Sequence, residues 1–156
     1  MSNPAQPIPE GYHTVTPFLA VDGATRAIEF YVRAFGAIEL MRHAEPSGKV
    51  RHAEIRIGDS RIMLADEFPE LPHWKSPHAR GGSTVHLYLY VEDVDAWFER
   101  AIAAGAKELM PVADQFYGDR LGGLVDPFGH VWYVATTKED LSSEELQRRA
   151  AAARRA

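Results

Sequence analysis

The chain has 156 residues, the size of one ordinary domain or of two small modules that share a core. Its 46% hydrophobic and 25% charged residues are typical of a folded globular protein, and its net charge of −5 argues against a nucleic-acid or anionic-lipid partner. Cysteine is absent, which excludes disulfides, thiolate metal sites and cysteine nucleophiles. We find neither a signal-peptide pattern at the N-terminus nor a long apolar run, so we expect no membrane partner and a cytoplasmic location.

The first half of the chain predicts one strand, one helix and then three more strands. Residues 14–21 alternate and are rich in β-formers. Residues 24–35 place apolar side chains at helical spacing, and Gly36 follows as a helix-ending glycine. Further strands are predicted at about 37–43, 50–57 and 61–66. The last two are joined by a tight turn at residues 58–60.

The second half repeats the first. Residues 84–91 match residues 14–21 at Thr, Val, Leu and Val, about 70 positions further along the chain, and residues 105–110 match residues 36–41 with one residue fewer between them. A repeat of this length with only two copies indicates a duplicated βαβββ module. We expect the two modules to share one site.

The elements of the second module follow in the same order. Asp93 or Asp95 caps a helix that ends at Gly105. Strands are predicted at about 107–113, 119–125 and 130–137. Residues 126–129 have the pattern of a type I turn between the last two strands.

The remaining segments connect and end the modules. We expect one domain over residues 1–156, in which residues 67–83 join module 14–66 to module 84–137. This joining segment is interpreted as a plain connection between the modules, and Trp74 leaves a lid as the alternative. In the tail, residues 138–156, Ser142 and Glu145 form a capping-box pattern that predicts a terminal helix.

Four stretches carry a family resemblance: VTPFLAVDGATRAIEFYVRAFGA, HAEIRIGDSRIMLADE, HLYLYVEDVDAWFERAIAAGAKELMPVADQFYGDR and DPFGHVWYVAT. They resemble the glyoxalase/bleomycin-resistance/dioxygenase superfamily, also called vicinal oxygen chelate proteins, and within it the PhnB-like branch. The resemblance implies an α+β fold in which two βαβββ modules form a cupped, half-open barrel of eight strands, here with a C-terminal helix. It also implies a homodimer and a small-molecule ligand inside the cup.

The resemblance places the family's four metal ligands on Thr16, Met63, His86 and Tyr133. Of these only His86 is an ordinary ligand for Zn, Ni, Mn or Fe, because a thioether is a poor ligand for such ions. We therefore expect no metal at the usual positions. A divalent ion with shifted ligands from His52, Glu54 and His86 is the alternative.

Strand parity selects further candidate residues. His86, Tyr88 and Tyr90 share one strand face, which indicates either an aromatic ligand surface or half-buried packing. Glu54 lies between His52 and Arg56 on a polar face, and is our candidate general base, with its pKa raised by the cavity. We predict Glu54 and His86 as catalytic residues.

The predicted ligand-binding residues are His52, Tyr88, Tyr90, Gln115, Tyr117, Arg120 and Tyr133. Residues 115–120 form a polar rim at the entry of a strand. Arg120 either binds a carboxylate or phosphonate or stabilises the hairpin through Asp119 or Asp126. His130 is interpreted as structural.

Three functions are compatible with these residues. The first is a glyoxalase-like protein without the usual metal quartet, acting as an acid–base isomerase or lyase. The second is a metal-free protein that sequesters a ligand, as in antibiotic resistance. The third is a divalent-metal lyase or dioxygenase with shifted ligands. Nucleophile-elbow, P-loop and dinucleotide-binding motifs do not occur.

Overall fold

The computed structural model describes residues 3–156, which divide into two compact units, one ending at Gly82 and one beginning at Ser83. Each unit contains one βαβββ module, so the predicted duplication and the α+β class are confirmed. Over the described residues, no helix has both the length and the hydropathy that a membrane span needs.

The first unit contains a mixed four-stranded sheet with one long helix. Its strands follow the order β1-β4-β3-β2, with β1 parallel to β4 and the other pairs antiparallel. The elements are β1 (Phe18–Val21), α1 (Ala24–Phe35), β2 (Ile38–Ala44), β3 (Val50–Ile57), β4 (Ser60–Asp66) and the short α2 (Pro77–Arg80). The prediction of a strand over 14–21 is too long: β1 starts after Pro17, which has no N–H to donate to a sheet.

The second unit has the same sheet order, β5-β8-β7-β6, with β5 parallel to β8. Its elements are β5 (His86–Tyr90), α3 (Val94–Ala104), β6 (Lys107–Asp114), β7 (Asp119–Val125), β8 (Val131–Thr137) and α4 (Ser143–Ala153). The predicted terminal helix is confirmed, and the Ser142 hydroxyl accepts a hydrogen bond from the Glu145 amide at 3.2 Å.

The core of each unit lies between one sheet face and its helix. On β3 the alternate residues Ala53, Ile55 and Ile57 are buried, whereas His52 and Glu54, which alternate with them, are only partly covered. This is the separation that parity predicted. In the second unit Leu124, Trp132 and Val134 are fully buried on the equivalent face.

The helices of the two βαβββ modules, α1 and α3, begin differently. Gly23 precedes α1 with a φ of 99° and no side-chain cap, and the buried carboxylate of Asp66 accepts from the amides of Gly23 and Ala24 at 2.9 and 2.8 Å. Its second oxygen accepts from the Val50 amide at 2.8 Å. Asp66 therefore joins β4 to both α1 and β3.

At α3, Asp93 is the capping residue, because its carboxylate accepts from the Ala96 amide at 3.1 Å. The Thr136 hydroxyl accepts from the Val94 amide at 2.9 Å and donates to the Val91 carbonyl at 2.8 Å. Strand β8 thus reaches the start of α3 through a neutral hydroxyl.

The connecting segment folds back on the first module. The Trp74 indole N–H donates to the Asp66 carbonyl at 3.1 Å, and its ring lies 4.4 Å from that of Phe18. Trp74 thus covers one edge of this sheet, and the choice between a plain connection and a lid stays a prediction.

Candidate functional site

In each unit one sheet face packs on the helix and the opposite face carries most of the candidate residues. We call this second face the helix-free face. Strand pairing defines one row of residues across each of these faces. In the first unit the row is Phe18, Met63, Glu54 and Met41. In the second it is Tyr88, Tyr133, Gly123 and Met110.

The second unit presents a cluster of aromatic rings, which we call the tyrosine platform: His86, Tyr88, Tyr90 and Tyr133. The ring of Tyr88 lies 5.0 Å from that of Tyr90 and 6.0 Å from that of Tyr133, and His86 lies 5.5 Å from Tyr133. Tyr88 is 42% exposed and Tyr90 69% exposed. The predicted aromatic surface therefore exists within this module.

Gly123 creates the space in which Tyr133 lies. A Cβ atom at this glycine would come within 3.0 Å of the Tyr133 ring. Because contacts this short are rarely tolerated, any larger residue at position 123 would displace the ring. Neighbouring Gly122 faces the other way, where an added Cβ would meet Val112 and Phe98 at 2.7 and 2.8 Å.

A buried carboxylate adjoins the platform. Asp119 is 8% exposed, and the Tyr88 hydroxyl donates to it at 3.2 Å. Burial, followed by the nearby charges of Tyr117 and Asp119, raises the pKa of Tyr88 above its ordinary value. Burial also raises the pKa of Tyr117. Both phenols are therefore neutral at pH 7.

In the first unit His52, Glu54 and Tyr12 form a polar cluster. The His52 Nε2 and Glu54 Oε1 atoms are 3.2 Å apart. The buried Tyr12 hydroxyl approaches Glu54, although without the geometry of a formed hydrogen bond, and the Tyr12 ring stacks on the Arg61 guanidinium at 4.7 Å. Tyr12 was not predicted as a site residue, because it precedes the periodic segments.

These neighbours change the predicted chemistry of Glu54. The Tyr12 hydroxyl, more than His52, holds the pKa of Glu54 below its ordinary value, and this outweighs the opposite effect of burial. The expectation of a raised pKa is therefore wrong. The expectation considered only burial, which raises the pKa, whereas Tyr12 and His52 stabilise the ionised carboxylate and lower it.

A pocket of about 190 Å³ adjoins this cluster at the sheet edge. Its walls are mainly apolar, from Phe18, Phe68, Leu71 and Trp74, and Arg51 and His73 are among its polar lining residues. The Arg51 guanidinium stacks on Phe68 at 3.6 Å. The connecting segment thus encloses apolar space against the first sheet.

The polar rim is arranged differently from the prediction. The Arg120 guanidinium donates two hydrogen bonds of 2.9 Å to Asp95 of α3 and one of 3.1 Å to Asp114. The predicted structural partners, Asp119 and Asp126, are wrong. Arg120 faces α3, whereas the adjacent Asp119 points to the opposite face of β7. The Asp126 carboxylate instead accepts hydrogen bonds from its own turn and from the Trp132 indole. The Gln115 amide donates to the Ala113 carbonyl at 3.2 Å.

His130 is buried and its amide donates to the Asp126 carboxylate at 3.0 Å. The same carboxylate accepts from the Trp132 indole at 2.8 Å. The structural interpretation of His130 agrees with this position in the turn.

Comparison with known proteins identifies the family. The model of the glyoxalase/bleomycin resistance protein/dioxygenase superfamily matches residues 12–134. The chain belongs to this superfamily.

Three relatives illustrate the range of similarity. The uncharacterized protein Rv0887c of Mycobacterium tuberculosis is 44% identical over 135 residues, which cover 85% of this chain and 79% of that protein. The crystal structure of TioX from Micromonospora sp. ML1 is 29% identical with a TM-score of 0.62, covering 83% of this chain and all of TioX. The PhnB protein of Bacillus cereus shares the fold, with a TM-score of 0.64 and 21% identity over 80% of this chain and all of that protein.

The superfamily includes metal-dependent members, but the residues at the ligand positions do not fit such an ion. Thr16 and Met63 offer a hydroxyl and a thioether, and the Thr16 hydroxyl already donates to the His13 carbonyl at 3.4 Å. His86 and Tyr133 offer one imidazole and one phenol. Only the imidazole is a usual ligand of Zn, Ni, Mn or Fe.

The structure brings most of the predicted site residues into two groups. The group in the second unit contains His86, Tyr88, Tyr90 and Tyr133. The group in the first unit contains His52 and Glu54. The predicted catalytic residues Glu54 and His86 belong to different units. Their joint action stays a prediction.

Proposed function

We propose that this protein binds a small organic molecule with a planar aromatic group and that binding needs no metal ion. The observation that carries the proposal is the tyrosine platform, where three phenol rings and one imidazole lie within 6.0 Å of a neighbour. Aromatic ligands stack on such rings in offset or edge-on geometries. The function is sequestration of the ligand.

The ionisation of the nearby groups supports sequestration over chemistry. A general base works best when its pKa lies near the working pH. The pKa of Glu54 is lowered, while those of Tyr88 and Tyr117 are raised, so each moves away from neutrality. These groups are better suited to fixed recognition than to proton transfer.

A binding screen tests the proposal. The panel contains cationic, anionic and neutral naphthalene derivatives and bleomycin, to which the superfamily owes part of its name. We expect at least one compound to raise the melting temperature and to shift the ring signals of Tyr88 and Tyr133 in protein labelled with ¹³C-tyrosine. The proposal fails if no compound moves these signals.

Two neighbouring glycines supply matched variants. Gly123→Ala is expected to weaken binding about tenfold or more, because the added methyl displaces Tyr133. Gly122→Ala alters the opposite face and leaves the affinity of the folded protein within about twofold. Equal affinities for both variants would count against the platform as the site.

A second candidate function is acid–base isomerisation or elimination at Glu54. The observation that favours it is the close approach of His52 and Tyr12 to the Glu54 carboxylate. In D₂O, such an enzyme would exchange a carbon-bound proton of a small α-hydroxy or α-keto compound. Loss of that exchange in both Glu54→Gln and His86→Ala would support the joint role predicted for them, and no exchange by the wild type would contradict it.

The metal-dependent alternative and the homodimer are tested separately. Protein purified without a polyhistidine tag or chelator would contain about one divalent ion per chain if His52, Glu54 or His86 bound it. Sedimentation at micromolar concentration gives the mass of the assembly, and a monomeric mass would contradict the predicted homodimer. Cytoplasmic location also stays a prediction.

A further inference from the structure

The buried carboxylate of Asp119 has no cationic partner. Across residues 3–156, no lysine, arginine or histidine forms an ion pair with it, and its side-chain partner is the neutral Tyr88 hydroxyl at 3.2 Å. Arg120, the next residue, binds Asp95 and Asp114 instead. Burial of a carboxylate without a cationic partner is unfavourable. This position therefore favours a ligand that brings a positive charge.

Tyr88, which contacts this carboxylate, belongs to a group of tyrosine rings. Tyr88 contacts Asp119 through its hydroxyl, and the rings of Tyr90 and Tyr133 flank Tyr88. Tyr117 lies close enough to act on Tyr88 electrostatically. The face of each ring is electronegative and attracts organic cations within about 6 Å of its centre.

We propose that the ligand of the tyrosine platform carries an organic ammonium group, which lies against these ring faces and is neutralised by Asp119. The inference rests on the proposed function and adds the charge of the ligand. A tertiary or quaternary ammonium fits best, because a nitrogen that carries alkyl groups is less strongly hydrated than a primary ammonium and loses its water at lower cost. The tyrosine platform and the adjoining Asp119 offer the two features that such a cation needs, namely aromatic rings and a carboxylate.

A pair of probes with the same shape isolates the charge. The cation is 3-hydroxyphenyltrimethylammonium, and its neutral counterpart is 3-tert-butylphenol. Isothermal titration calorimetry on the full chain should give an affinity at least about tenfold higher for the cation. Equal affinities would overturn the inference while leaving aromatic binding, and so the proposed function, intact.

Two carboxamide variants locate the counter-ion. Asp119→Asn should remove most of the preference for the cation and leave the affinity for 3-tert-butylphenol within about twofold. The control, Glu99→Gln, removes an exposed carboxylate from α3 of the same unit and should leave the preference unchanged. A preference that survives Asp119→Asn, or that is lost in Glu99→Gln, would overturn the assignment.

A third variant tests the inference independently, in case Asp119→Asn does not fold. Tyr90→Leu removes an exposed ring without touching Asp119, so the fold should be retained. It should weaken binding of the cation several-fold more than binding of the neutral probe. Equal weakening of both would contradict the role of the ring faces, and the absence of binding by either probe to the wild type would overturn the inference outright.

Discussion

The two modules share one plan but differ along one row of residues. Across the first helix-free face the row is Phe18, Met63, Glu54 and Met41; across the second it is Tyr88, Tyr133, Gly123 and Met110. A charged residue in one module thus corresponds to a glycine in the other. Duplication has kept the buried core similar, while the helix-free faces have become a polar cluster and an aromatic platform.

The difference extends to how each face is covered. Phe18 lies against Trp74 of the connecting segment, whereas its counterpart Tyr88 is flanked by other tyrosines and remains 42% exposed. Phe18 is itself 45% exposed, so each module keeps an accessible aromatic ring. The modules offer different surfaces to a ligand.

The largest expected effect comes from the residues that anchor the helices. Asp66→Ala should lower the free energy of unfolding by about 4 kcal/mol, because three backbone amides lose a charged acceptor. Thr136→Val at the corresponding site of the second module should cost about 1–2 kcal/mol. Urea unfolding measures both, and similar losses would show that the two anchors are equivalent.

The paired glycines should separate stability from binding. Gly122→Ala is expected to destabilise the protein by about 2–3 kcal/mol through overpacking against Phe98, whereas Gly123→Ala should cost about 1 kcal/mol because Tyr133 can move outward. Urea unfolding measures these losses of stability. Ligand affinity should rank the two variants in the opposite order, with Gly123→Ala affected more than Gly122→Ala. If the same variant were worse in both measurements, the division between the core face and the platform face would be wrong.

Removing the Trp74 side chain, which covers the sheet edge of the first module, tests the difference in how the two faces are covered. Trp74→Ala should destabilise the protein by about 1–2 kcal/mol, since its ring is only partly buried against Phe18. Binding at the tyrosine platform should be unchanged. A loss of platform affinity in thermal-shift titrations would show that the faces are not independent.

The smallest expected effect is electrostatic. Because the folded-state pKa of Glu54 lies below its ordinary value of 4.5, the ionised carboxylate contributes stability above that value, and the contribution is lost as the pH falls through the folded-state pKa. Tyr12→Phe should move the titration of Glu54 to higher pH in NMR of ¹³C-glutamate-labelled protein. It should also reduce the loss of stability on acidification, and an unchanged titration would contradict the assigned cause.

Features that depend on local periodicity were predictable from the sequence. The ends of helices α1 and α3, the polar face of β3 and the tyrosines of β5 all follow from spacing and parity. Arg120 was harder, because its partner Asp95 lies on a helix packed against the strand. Gly123 was also not predictable, since its importance comes from a ring on the adjacent strand.

The lowered pKa of Glu54 shows the same limit. Its sign depends on Tyr12, which lies far away in the sequence and outside every periodic segment. Burial alone would have raised the pKa. A partner that only the fold brings near therefore reversed the predicted chemistry.

The central claim is that the tyrosine platform binds an aromatic ligand without a metal. The most direct measurement is an NMR titration of ¹³C-tyrosine-labelled protein with the strongest compound of the screen, first after chelation and then with added Ni, Zn, Mn or Fe. We expect the signals of Tyr88 and Tyr133 to shift with the same affinity in every sample. Binding that requires an added metal, or shifts that spare both residues, would contradict the claim.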